Sequence, residues 1–141
     1  MSAAAPRFHR LTIADLRRET ADAVSIAFAV PQEFATDYRF EPGQYLTLKS
    51  VIDGEELRRS YSICAGPADG ELRIAVKRVE GGVFSAWVNE ALAAGDAVDV
   101  MTPTGRFGVR HEPHRARLHV GFAAGSGITP ILSIARGVLC R

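Results

Sequence analysis

Val24, Ile26, Phe28 and Val30 alternate with small or polar residues, a period-two pattern that suits a strand with one buried face and not a helix. Pro31 closes the run. The pattern returns at Leu46 and Leu48 after the turn signal Glu41-Pro42-Gly43, and Asp53-Gly54 then suits a hairpin turn into a strand from Leu57 to Cys64. Asp69-Gly70 marks a second such turn, ahead of Leu72, Ile74 and Val76. Gly95-Asp96 leads into Val98 and Val100, which Pro103-Thr104-Gly105 closes. The first hundred residues are expected to form six short antiparallel strands, five of them located by these patterns. A chain of this kind protects its edges by closing on itself, so a small Greek-key barrel or sandwich is expected.

One helix interrupts the strands. Trp87, Val88, Ala91 and Leu92 have the three-and-four spacing of an amphipathic helix, with Ser85 expected as N-cap and Gly95 as stop. Beyond residue 110 the character changes. Arg110 to Arg117 is a polar, His- and Arg-rich linker, Leu118 to Ala124 is a continuous apolar run of the kind found in a buried parallel strand, and Gly125-Ser126-Gly127 leads into an apolar helix from Ile128 to Leu139. The expected fold is therefore mainly β: a six-stranded antiparallel Greek-key barrel with one capping helix over 1–112, then the first strand and helix of a truncated α/β nucleotide-binding domain over 113–141. An uncovered apolar tail of this kind is expected to be mobile or buried in a second copy of the chain, as a tail-mediated dimer.

Composition narrows the function classes. A chain of 141 residues with 47% apolar and 23% charged residues folds as one domain plus a remnant. Its net charge of +1, with both signs interspersed, leaves no footprint for nucleic acid or an anionic membrane. No apolar run approaches the roughly 20 residues that span a bilayer, and the start, Met1 to Arg7, has no signal-peptide pattern, so a cytoplasmic location is expected. Two cysteines, Cys64 and Cys140, cannot supply the four ligands of a structural zinc or iron–sulfur site, and no metal site is expected. Cys64 reads as a small buried apolar residue.

Two segments carry candidate chemistry. On the strand before Cys64, alternation puts Arg59 and Tyr61 on one face and Ser60 and Ser62 on the other, unless a bulge or the strand end re-aims them. A guanidinium beside a phenol ring suits a ligand with a phosphate and a flat ring system; taken alone, the same residues equally describe an exposed strand with a surface arginine. Gly81-Gly82-Val83-Phe84-Ser85 opens the helix, where glycines admit a phosphate to the backbone and free amides favour an anion. Taken alone, that too is an ordinary loop and cap.

Taken in order, Pro42-Gly43-Gln44-Tyr45, Arg59-Ser60-Tyr61-Ser62, Val76-Lys77-Arg78, Gly82-Val83-Phe84-Ser85 and Pro103-Thr104-Gly105-Arg106-Phe107 resemble the flavin domain of the ferredoxin–NADP reductase superfamily. Gly125-Ser126-Gly127-Ile128-Thr129-Pro130 is similar to the first glycine turn of that superfamily's pyridine-nucleotide domain. The resemblance implies FAD as cofactor and NAD(P)H as electron donor. It assigns Arg59 to the flavin pyrophosphate, Tyr61 to the isoalloxazine face and Ser62 to the reactive flavin nitrogen, making Tyr61 and Ser62 the catalytic candidates, with Ser60 in the same binding strand. It further assigns Val76, Lys77 and Arg78 to the ribityl and adenine side, Gly82, Val83, Phe84 and Ser85 to the pyrophosphate, and Thr129 to the approach of the nicotinamide.

Within the superfamily, Arg58 to Cys64 and Ile74 to Val79 resemble the reductase components of phenylacetyl-CoA oxygenase systems. Those imply an oxygenase component as partner and a [2Fe–2S] centre in a C-terminal domain absent from this chain. Two alternatives stay open: the reductase half of a flavohaemoglobin-like or other ring-hydroxylase system, and a module that binds FAD without turnover.

Overall fold

The computed structural model describes residues 5–109, 112 and 114–139. Six strands, β1 (Phe8–Thr20), β2 (Ala23–Ala29), β3 (Tyr45–Ile52), β4 (Glu55–Ser62), β5 (Leu72–Lys77) and β6 (Ala97–Met101), form one antiparallel sheet in the order β4-β3-β6-β1-β2-β5. The last strand in sequence thus lies inside the sheet, between β3 and β1, which is the Greek-key crossing. The sheet curls until Ile63, just past β4, bridges Ile74 on β5, and the Cys64 N–H donates to the Arg73 carbonyl at 2.9 Å. Its two edges meet there, making a half-barrel whose remaining gap faces the helix.

That helix, α1 (Val83–Ala91), fills the gap because Phe84 and Val88, one turn apart, point the same way and are fully buried against the strands. Burial of a side chain of this size contributes about 1.5–3 kcal/mol. The buried face of α1 is Phe84, Ser85, Val88 and Asn89, rotated from the expected stripe; Trp87 and Leu92 only flank the core, and Ala91 is exposed. The N-cap is Gly82, not Ser85, and the helix ends at Ala91, before Gly95. Ser85 lies inside the first turn because its hydroxyl is occupied in closing the preceding loop.

The hairpin turn at Asp53-Gly54 forms as expected, with φ of 52° and 80° at its two residues, the left-handed pair of a type I′ turn. Asp69-Gly70 instead ends a single 3₁₀ turn, Pro67–Asp69, whose first N–H, that of Gly66, donates to Asp69 Oδ2 at 2.7 Å. β2 is buried on both faces, not one, since Ser25 and Ala27 are covered as well as Val24, Ile26 and Phe28. The cover is Arg73, whose guanidinium donates to Ser25 Oγ at 2.8 Å and is neutralised by Asp15 and Glu71.

Arg110, His111 and Pro113 of the expected linker and domain boundary lie outside the described residues, as does Cys140. The stretch 118–124 is not a strand: it has no ladder partner among the described residues, and Leu118 and Phe122 are each 90% exposed. A parallel strand exists only through pairing with a neighbour, and no strand among the described residues pairs with it. The second helix, α2 (Ile128–Leu139), forms as expected. It docks on its own barrel: buried Ser133 donates to the Ala65 carbonyl at 2.6 Å, and Arg136 Nε and Nη2 grip the Asp69 carboxylate at 2.6 and 2.8 Å.

Candidate functional site

Strand pairing decides which way β4 faces. Tyr61 lies opposite Leu46 and Arg59 opposite Leu48, so both share the core face, while Ser60 and Ser62 lie opposite Thr47 and Tyr45 on the outer face. Ser60 Oγ and Thr47 Oγ1 are 2.8 Å apart, a hydrogen bond across the outer surface. Tyr61 is half-buried, its ring 6.3 Å from that of Phe84 and inclined by 29°. Burial pushes its phenol up to about 12, against the opposing pull of Arg59, so it is a neutral donor at neutral pH. Arg59 is exposed and uses Nη1 on the Arg58 carbonyl at 2.7 Å, leaving its other N–H groups directed elsewhere.

The start of α1 meets this strand through the Tyr61–Phe84 contact. The Gly82 N–H donates to the Val79 carbonyl at 2.9 Å, and the Val79 N–H donates to Ser85 Oγ at 3.0 Å, so loop and helix close on each other. A Cβ at Gly82 would stand 2.7 Å from Ser85 Oγ, which is why the tight turn requires glycine there. Helix geometry leaves the amides of Val83, Phe84 and Ser85 without an intrahelical carbonyl, and these face the positive end of the helix dipole. Beside them an open groove of about 490 Å³ is lined by Arg78, Val79, Glu80, Gly81, Gly82, Val83 and Ala86.

The other candidate residues divide. Phe84 is part of the core, so only its amide is available, and the Val76 side chain is likewise fully buried. Lys77 is exposed at the end of β5, and Arg78 lies on the groove with its guanidinium 2.8 Å from Glu90. Thr129 stands apart, its hydroxyl donating to the Ser126 carbonyl at 3.0 Å inside its own turn. Cys64 is buried, and burial holds its thiol up at about 11, consistent with an inert core residue. Two residues escaped the sequence reading: Arg18 on β1 and Asn89 on α1, whose side chains meet at 2.9 Å. The one available signal was an asparagine four residues after Ser85, a polar side chain on a helix face that must be buried.

Residues 10–109 match the family model described as an oxidoreductase FAD-binding domain. The chain belongs to that family. The FAD-binding domain is 52% identical over 127 residues to one component of the 1,2-phenylacetyl-CoA epoxidase of Escherichia coli strain K12, covering 90% of this chain and 36% of that one. It is 38% identical to the ferredoxin reductase component of 3-ketosteroid-9-alpha-monooxygenase of Rhodococcus rhodochrous, covering 93% and 37%. Among solved structures, phthalate dioxygenase reductase, described as a modular structure for electron transfer from pyridine nucleotides to [2Fe–2S], superposes with a TM-score of 0.76 at 36% identity, over 92% of this chain and 39% of that one. The chain therefore spans little more than a third of the length of these curated relatives.

The geometry suits FAD. A dinucleotide cofactor needs donors for two phosphates and an apolar wall for its rings, and the domain offers three helix amides, two arginines and the Tyr61 face. Among the described residues no cluster of His, Cys, Asp and Glu could hold a metal ion.

Proposed function

We propose that this domain holds FAD across β4 and α1, with Arg59 on the pyrophosphate, Tyr61 against the isoalloxazine and the Ser62 hydroxyl, from the outer face where β4 ends, turned round the strand end toward its reactive nitrogen. The helix amides at Val83, Phe84 and Ser85 share the phosphate charge, and Arg78 borders the adenine side. One observation carries this reading: the Tyr61–Phe84 contact joins the arginine-tyrosine strand to the glycine turn at a single end of the barrel. FAD held there by Arg59, Tyr61, Ser62 and the helix amides would supply hydride acceptance and release of single electrons. The domain's own contribution is to orient the ring, to neutralise the phosphates, and to keep the Tyr61 proton in place at working pH.

A protein that carries this domain would draw electrons from NAD(P)H, with FAD held at this site, for an iron–sulfur centre serving an oxygenase component, of the kind that handles phenylacetyl-CoA or another aromatic substrate. The relatives named above support this, being an epoxidase subunit, the ferredoxin reductase component of a monooxygenase and a dioxygenase reductase. We further propose that residues 1–112 form the cofactor-holding unit and that Thr129 belongs to the nucleotide-binding part that follows. Titrating the purified chain with FAD tests the first reading; a chain that shows neither a shift in flavin absorption nor quenching of flavin fluorescence overturns it. Adding NADH and an artificial acceptor separates holding from turnover, with FAD uptake and no turnover expected of these residues alone.

A further inference from the structure

We propose that Asn89 is a positioning residue for the pyrophosphate cradle and that Arg18 is its anchor on β1. This deepens the reading above and rests on the pyrophosphate lying at the start of α1. Asn89 is 8% exposed, and its polar atoms are occupied in one arrangement. Its Nδ2 donates to the Val76 carbonyl at 3.2 Å and to the Ser85 carbonyl at 2.9 Å. Its Oδ1 accepts from Arg18 Nη1 at 2.9 Å, and its own main-chain carbonyl accepts from Arg18 Nη2 at 2.7 Å.

The two carbonyls that share this one amide stand at the two ends of the loop 77–84. Val76 is the last buried residue of β5, and Ser85 is in the first turn of α1. Lys77, Arg78, Gly82, Val83 and Phe84, all assigned to the phosphate and adenine side, lie between them. A single side chain therefore fixes the opening of the loop, and Ser85 Oγ fixes its middle through the Val79 N–H.

Helix propensity and core burial both favour an apolar residue at this position over asparagine. The amide adds a bond to two carbonyls that already serve the β2–β5 ladder and the helix, and its oxygen holds Arg18 Nη1; a leucine would remove both the bridge across the loop and that side-chain acceptor. Arg18 reaches the loop by way of Asn89, so its effect on cofactor binding passes through that residue.

The test is a double-substitution cycle read as FAD affinity, measured by flavin fluorescence on samples shown to be folded by circular dichroism. Asn89→Asp keeps the shape and the acceptor for Arg18 but removes both N–H donors, and is expected to weaken FAD binding about tenfold. Arg18→Met should weaken it about threefold, and the double variant should bind no worse than Asn89→Asp within about twofold, because the two act as one unit. Tyr38→Phe is the control, since it removes a different buried hydrogen bond, from Tyr38 to the Val100 carbonyl at 2.6 Å. It should lower the melting temperature and leave FAD affinity within about twofold of the parent.

Unchanged affinity in Asn89→Asp, additive losses in the double variant, or an equal loss in Tyr38→Phe overturns the assignment. If Asn89→Asp does not fold, Arg18→Met alone decides, and unchanged affinity there overturns it. Failure of the unsubstituted chain to bind FAD is a separate result and overturns the underlying site as well.

Discussion

The rings of Tyr61 and Phe84 lie 6.3 Å apart and within 29° of parallel, and through them an edge strand meets the helix that caps the barrel. Trp87 completes the cluster, edge-on to Phe84 at 5.3 Å. Phe84 is a core residue and Tyr61 is half-buried, so the packing that holds α1 also holds the tyrosine against which a flavin ring would rest. Trp87 is the single tryptophan of the chain. Its emission is the natural reporter, and FAD binding should quench it.

Arg59→Ala should weaken FAD binding roughly 10- to 100-fold, the size of one charge-assisted hydrogen bond of about 1.5–3 kcal/mol. Arg58→Ala should change it little, because Arg58 lies on the opposite face, near Glu56 and over the Phe8 ring. Titration of both variants by Trp87 quenching compares them directly. Equal losses would move the phosphate to the wrong face of the strand.

Tyr38 and Tyr61 each have a phenol held up at about 12, in both cases chiefly by burial. The folded state keeps these protons more tightly than the unfolded chain, whose tyrosines ionise near pH 10. Their stabilising contribution is therefore complete below pH 10 and is lost as pH rises toward about 12. Urea midpoints at pH 8 and pH 11 should show the fall, and Tyr61→Phe should reduce it.

Asp69 has its carboxyl held below the usual range, first by the hydrogen bond from Arg136 and then by the Gly66 N–H. A depressed carboxylate contributes above its unfolded value and loses that contribution as pH falls through the folded one. Acid below about pH 4 should thus release α2 from the barrel. Asp69→Asn should do so at neutral pH, seen as faster amide exchange in 128–139 with little change in the strands.

Gly43 has a φ of +99°, and a Cβ there would lie 1.4 Å from the Phe107 carbonyl oxygen. Gly43→Ala should destabilise the domain by about 3–5 kcal/mol, through strain and backbone collision together. Gly54→Ala, at a φ of +80° with nothing within 4 Å, should cost only about 1–2 kcal/mol. Chemical denaturation of the two variants measures the difference between strain alone and strain with a clash.

Sequence pattern reveals what alternation and turn chemistry encode, and no more. β3, β5 and β6 were legible because their inward residues are apolar and evenly spaced. β1 was not placed, since Leu11 and Ile13 point inward but a register shift between Ile13 and Asp15 breaks the period before Leu16. The rotation of α1 was hidden as well: Phe84 and Asn89 are turned inward by contacts with Tyr61, Val76 and Arg18, all distant in sequence. At the candidate site, the strand and the glycine turn were readable as motifs, whereas the amide that ties the end of β5 to the start of α1 was not, because a lone asparagine carries no pattern.

The position of β6 between β3 and β1 governs how this domain can be made. Until Ala97–Met101 has left the ribosome, the ribbon of β3 with β4 and the ribbon of β1 with β2 and β5 can meet only at the Ile63–Ile74 bridge, with no strand to pair β3 with β1. Phe8 must wait for Met101, its partner across the sheet. Such late, long-range closure makes folding slow and all-or-none, and it leaves the early ribbons with open edges for as long as synthesis lasts.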